Sequence, residues 1–172
     1  LRAARTFAPP PARAGAGADS PAREHPAEAG ALGIEEVMKM LPHRYSFLMV
    51  DRIVKIDGNR IVGVKNVASD ERYFIAGPGG RPVLPASIRT EAMAQAGCIY
   101  YYYSKNLQGK DLIYYLAKTV AKFHMPVVPG DQLRIEVASI KLMSKAGLLK
   151  TEAYVKDNLV AEAEIGFGIK EV

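Results

Sequence analysis

One stretch of this 172-residue chain reads as a long helix, while most of the rest reads as strand. That imbalance limits the possible folds more than any other feature. The segment "ASIRTEAMAQAGCIYYYY", residues 86 to 103, is rich in Ala, Met, Glu and Gln, and only Gly97 weakens it. Pro85 stands where a helix can begin. Apolar residues fall on most of its sides, so it has to be enclosed rather than laid on a surface. Two strand-length runs precede it, "FLMVDRIVKID" and "RIVGVKNV", parted by the turn Asp57-Gly58-Asn59. Four follow, "LIYYLAKTVAKF", "QLRIEVASIKLMS", "LLKTEAYVKD" and "LVAEAEIGFGI", with turns at "VVPGD", "SKAG" and "KDN". One enclosed helix and six strand runs predict an α+β domain, an antiparallel sheet wrapped around one long central helix. In the last run Leu159, Ala161, Ala163, Ile165 and Phe167 share one face, and Glu162 and Glu164 point to a wet one.

Ahead of the strands, "IEEVMKML" places Ile34, Val37, Met38 and Leu41 on one helical stripe, and Pro42 stops it. Residues 1 to 33 differ in kind. They are Ala, Pro, Gly and Arg with few large apolar side chains, and are expected to be disordered or ordered only on a partner. Their Arg-rich, acid-free start, without methionine, predicts the remainder of an organellar targeting sequence, with a flexible linker as the alternative. The folded domain is then residues 34 to 172.

Hydrophobic residues make up 49% and charged residues 24%, the composition of a soluble globular domain. No apolar run approaches the roughly 20 residues of a membrane-spanning helix. The single cysteine, Cys98, excludes an internal disulfide framework. With His25, His43 and His124 it forms no metal-ligand spacing, and nothing calls for a cofactor. The net charge of +5 is scattered, which predicts a solvated basic surface or a weak attraction for an acidic carrier protein. It is not arranged with aromatics as nucleic-acid grooves require.

Four separated motifs then carry a resemblance: "LPHRYSFLMVDRIV", "PVLPASIRTEAMAQAG", "YYLAKTVAKFHMPVVPGDQL" and "VAEAEI". In this order they resemble the hot-dog-fold 3-hydroxyacyl-acyl-carrier-protein dehydratases of type II fatty-acid synthesis, from about Ile34 to the C-terminus. The resemblance implies a homodimer, often a trimer of dimers, with acyl tunnels at the dimer interface. It also implies two catalytic groups: a histidine base in an "HFPG" loop, and a glutamate acid on the central helix of the partner subunit. Backbone N–H groups polarise the thioester carbonyl as the enolate forms.

Glu91 falls on the family's glutamate, either as a surviving catalytic acid or as an inherited, hydrogen-bonded buried polar group. A gapless count through "RPVLPAS" puts the histidine position at Gly77, where the family's "GHFPG" reads "AGPGG". Gly80 matches the glycine whose N–H faces the carbonyl, and Phe74, Val83, Leu84 and Pro85 complete the substrate-binding set the resemblance implies. Glycine can neither take nor give a proton, so Glu91 would serve alone as base and acid. Other departures are Ala86 for a glycine, Ser46 for a proline and Arg89 for an apolar tunnel residue. A charge there has to be paired or hydrated, by a carboxylate of its own subunit or of a neighbour.

The remaining candidates divide between chemistry and structure. His124 is either a replacement base or a surface histidine. His43, with Arg44, reads as a structural anchor, and Cys98 as a small buried hydrophobe. The tyrosines at 100 to 103, with Tyr114 and Tyr115, suit packing at the helix end or a protein contact. Three functions follow. The preferred one is a hot-dog protein that has lost catalysis and serves as an assembly subunit of an organellar complex, in plastid or mitochondrion. The second is an active dehydratase of organellar fatty-acid synthesis. The third is a non-catalytic module binding an acyl-carrier protein or acyl thioester.

Overall fold

The structure, a computed structural model, describes residues 31 to 171, so the N-terminal extension lies almost wholly outside the described residues. Helix α1 (Ile34–Met40) leads to strands β1 (Arg52–Asp57) and β2 (Arg60–Asn66). A small hairpin, β3 (Ile75–Ala76) and β4 (Pro82–Val83), precedes the long helix α2 (Ala86–Ser104). Strands β5 (Leu112–Phe123), β6 (Gln132–Leu142), β7 (Ala146–Val155) and β8 (Asn158–Glu171) complete the chain. Six of the strands form one antiparallel sheet in the order β1-β2-β6-β7-β8-β5. This is the expected α+β hot-dog architecture, with α2 lying against the sheet.

Enclosure of α2 follows from its residues. Ile88, Ala92, Met93, Ala96, Cys98, Ile99, Tyr100, Tyr101 and Tyr102, which point in nearly every direction around the helix, all enter the core. They meet Ile61, Leu133, Ile135, Leu149, Ile165 and Phe167 from the sheet. Gly97 is the point of closest approach, since a Cβ there would stand 2.7 Å from Leu149 Cδ1. The tyrosine run is mostly packing. Tyr101 is fully buried, donates its hydroxyl to the carbonyls of Met143 and Ser144, and meets the Phe167 ring edge-on at 5.2 Å. Tyr103 and Tyr115 alone of the six are exposed.

Three features depart most from the sequence reading. The run expected as a strand from Phe47 begins only at Arg52, because the Phe47 carbonyl and the Met49 N–H bond to Gln95 of α2 instead. The β3–β4 hairpin was not expected; each strand has two residues, too few to show alternation. Leu32, assigned to the extension, forms a reciprocal pair of 2.9 Å backbone bonds with Ile53. In α1, Val37 is buried and Leu41 just beyond the helix is too, whereas Ile34 is 43% exposed.

Strand β5 ends the sheet, so its outer edge has no strand partner among the described residues. Ile113, Tyr115, Leu116, Val120 and Phe123 on this strand are exposed. Such an edge is a template for pairing with another chain.

Candidate functional site

Glu91 lies in the second turn of α2 with its side chain 25% exposed. One turn on, at the i+4 position that shares its face, Gln95 donates Nε2 to Glu91 Oε1 at 2.7 Å. Gln95 is itself fixed. Its Oε1 accepts the Met49 N–H at 2.8 Å, and Nε2 also donates to the Phe47 carbonyl at 2.8 Å. Because the amide oxygen is committed to a backbone donor, the nitrogen has to face Glu91. The carboxylate is therefore held in one orientation by a side chain only 1% exposed.

The same segment brings a second titratable group. Between core residues Leu41 and Met49 the chain makes a tight turn. The Phe47 and Leu48 N–H groups donate to the Arg44 carbonyl, and Arg44 Nη1 donates to the carbonyls of Leu41 and His43. This turn sets His43 Nε2 3.6 Å from Glu91 Oε1, with the histidine side chain also 25% exposed. The other ring nitrogen, Nδ1, is buried without a partner among the described residues, and the Phe47 ring stands 6.0 Å from the imidazole. The carboxylate that the sequence left alone has a histidine beside it.

Loop 76–80 is built differently. Gly77 donates its N–H to the Arg81 carbonyl at 2.8 Å, and Pro78–Gly80 form a 3-10 turn. A Cβ on Gly77 would stand 2.5 Å from Val83 Cγ1 and 3.1 Å from the Arg81 carbonyl oxygen, so a side chain fits only if Val83 shifts. Gly79 and Gly80 take left-handed φ values of 70° and 73°. The Gly80 N–H donates to the Gly77 carbonyl at 3.0 Å, so the donor expected to face a thioester is committed within its own turn. Among the other expected substrate contacts, Phe74, Val83 and Pro85 are half-buried. Leu84 is 1% exposed and belongs to the protomer core, so it does not line an open wall here.

Arg89 has no carboxylate partner among the described residues, which removes the own-subunit pairing for them. Its Nη1 donates to the Met125 carbonyl at 2.9 Å, and its guanidinium lies 4.6 Å from the centre of the Phe123 ring. Only 8% exposed, it pays for burial with a lowered pKa. His124 instead meets Glu162 on β8, at 3.4 Å. Burial, with the nearby charge of Glu91 as a smaller cause, pushes the Cys98 thiol well up, which suits an inert core residue. An open groove of about 850 Å³ between α1 and the far end of α2 is lined by Met38, Leu41, Tyr102 and Leu112, without Glu91.

The FabA-like domain family matches residues 41–164, which span His43, loop 76–80 and Glu91. The chain belongs to that family. Within it, the chain is 47% identical over 138 residues to a FabZ 3-hydroxyacyl-[acyl-carrier-protein] dehydratase of Geotalea uraniireducens, covering 78% of this chain and 94% of the relative. The corresponding enzyme of Pelotomaculum thermopropionicum is 42% identical over 140 residues, 81% of this chain and 99% of the relative. Among solved structures, a dehydratase heterocomplex from Xenorhabdus doucetiae superposes with a TM-score of 0.67 at 17% identity, over 77% of this chain and 89% of that one. At that identity the likeness speaks for the hot-dog fold alone. The expected resemblance to 3-hydroxyacyl-acyl-carrier-protein dehydratases is thus borne out at the level of the family.

His43 and Gln95 are the neighbours of Glu91 that sequence reasoning did not place there. Gln95 carried a signal, since "EAMAQ" puts it four residues after Glu91 on one helical face. The approach of His43 carried none, because nearly fifty residues separate it from Glu91 in sequence.

Proposed function

We propose that this protein is a dehydratase acting on 3-hydroxyacyl thioesters, with its chemistry centred on Glu91 and no longer involving residue 77. The observation that carries this reading is the fixed Glu91 carboxylate, a quarter exposed and oriented by a buried amide whose oxygen and both N–H groups are engaged. A proton-transfer group needs that combination of orientation and access. Identity above 40% to dehydratases over about four fifths of the chain supports it. The substrate would arrive on an acyl-carrier protein, and the unpaired β5 edge with its apolar side chains would join two copies into a homodimer. An organellar setting is the one the N-terminal composition suggests. Hydration of a trans-2-enoyl thioester by the purified chain tests the reading. Turnover that falls at least about 100-fold in Glu91→Gln is expected, and a natural protein without turnover overturns it.

A second reading is favoured by loop 76–80. The space a base would occupy at residue 77 is filled by Val83, and Arg89 sets a buried cation two residues before Glu91. On this reading the protein has retired from catalysis and serves as an assembly subunit of an organellar complex. It would be silent in the hydration assay and co-purify with a larger particle. A pure acyl-thioester binding module is the third reading, and the committed Gly80 N–H counts against it.

A further inference from the structure

We propose that His43 is the base that works with Glu91, so that both proton-transfer groups belong to one protomer. This rests on the dehydratase reading and names the second group that reading requires. The two side chains approach through His43 Nε2 and Glu91 Oε1, 3.6 Å apart, and each is a quarter exposed. That distance is longer than a hydrogen bond, as acid–base pairs often are before substrate arrives. An anchoring histidine would be expected to spend its buried nitrogen on a structural partner. Here Nδ1 has none among the described residues, and Nε2 is the atom directed toward the carboxylate. Leu41 and Met49 hold the ends of the turn in the core, and the backbone bonds at Arg44 fix its middle. The histidine is thus placed by the same segment that orients Gln95.

The α-hydrogen and the β-hydroxyl of a 3-hydroxyacyl thioester sit on adjacent carbons, so two groups a few ångströms apart on one side of the chain can serve both. Neutral His43 takes the α-proton on Nε2, and the C–H electron pair becomes the Cα=Cβ bond. The Cβ–O bond breaks, and the hydroxyl leaves as water with the proton of the Glu91 carboxylic acid. An imidazolium then faces a carboxylate, and passage of the proton from Nε2 to Glu91 restores both groups. Hydration is the reverse, and neither direction needs a further reactant.

The test uses the full chain and a short trans-2-enoyl thioester of pantetheine, following loss of the enoyl absorbance and deuterium entry at the α-carbon. His43→Gln is expected to lower kcat by about 10²–10⁴-fold, with KM little changed and deuterium entry lost in parallel. Added imidazole is expected to restore part of the rate in His43→Gly, and His124→Gln is expected to behave as the natural chain. A His43→Gln rate within about threefold of the natural protein, beside an inactive Glu91→Gln, overturns the assignment and leaves the dehydratase reading standing. A natural chain without turnover overturns both. Should His43→Gln fail to fold, histidine modification of the natural chain decides: inactivation that substrate prevents supports the assignment, and full activity with a modified His43 overturns it.

Discussion

Two loops bear on Glu91 in opposite ways. Loop 76–80 is made of backbone: its N–H groups and carbonyls bond to one another, two of its residues have positive φ, and Val83 closes the space over Gly77. Segment 43–49 is made of side chains: Leu41 and Met49 anchor its ends, Gln95 binds its backbone, and His43 emerges beside the carboxylate. The family motif puts the base on the first loop. In this chain that loop is a closed turn, and the histidine that stands beside Glu91 lies on the second. A motif position and a chemical role can separate while the fold around them persists.

The sharpest way to break the contrast is to remove the residue that ties segment 43–49 to α2. Gln95→Ala deletes a buried side chain and strands the Met49 N–H and the Phe47 carbonyl, so a loss of about 3 kcal/mol is expected in denaturant melts. Hydration activity should vanish with it, since both Glu91 and His43 lose their support. A loss below about 1 kcal/mol would mean that the segment is held by packing alone.

Gly77→His probes the other loop. The added Cβ meets Val83 Cγ1 at 2.5 Å, and valine is stiff at χ1, so the hairpin has to yield. A destabilisation of about 1–3 kcal/mol is expected, with no gain in hydration rate. Adding Val83→Ala should recover part of the stability, a coupling that a double-mutant cycle reads directly. Activity regained in the single variant would return the catalytic role to loop 76–80.

The buried side of α2 gives an alkaline signature. Burial, and secondarily the Glu91 charge, raises the Cys98 thiol above its ordinary value of 9.0. Burial first, then the neighbouring Cys98, Tyr102 and Tyr101, raises the Tyr114 phenol above its ordinary 10.0. The unfolded chain therefore sheds these protons where the folded one keeps them, and the folded state binds more protons above pH 9. Stability is expected to be complete below that pH and to fall as pH rises past it, with a shallower fall in Cys98→Ala. At neutral pH, a thiol reagent should label Cys98 no faster than the protein opens. Labelling as fast as a free thiol would disprove its enclosure.

The smallest effect belongs to the outer tie of segment 43–49. Tyr73 shares a 3.2 Å contact with the Ser46 hydroxyl and donates to the Ser46 carbonyl at 3.1 Å, both in exposed positions. Tyr73→Phe should cost about 0.5–1 kcal/mol and leave the hydration rate near that of the natural chain. A large drop in rate would show that the turn depends on this tie as much as on Gln95.

Much of the fold was legible because it follows local patterns. Strand β5 matches its run at both ends, and α2 differs from its expected span by one residue. The β8 alternation holds in the structure: Ala161, Ala163, Ile165 and Phe167 are buried, and Glu164 is exposed. The start of β1 and the β3–β4 hairpin were not legible. In one, the backbone of residues 47 and 49 bonds to a side chain of the helix, and in the other each strand is two residues long.

By itself the sequence determined the enclosed helix, the strands around it, the family, and the glutamate at residue 91, because periodicity and motif spacing are written along the chain. It also determined that residue 77 can transfer no proton, since glycine has no side chain. Only the tertiary structure decided that residue 77 has no room for one unless Val83 shifts, and that the Gly80 N–H is committed. It alone decided that Arg89 rests on Phe123 and that His43 stands beside Glu91. Those facts depend on which distant segments pack together, and packing brings the turn at 43–49 against α2 across nearly fifty residues of chain.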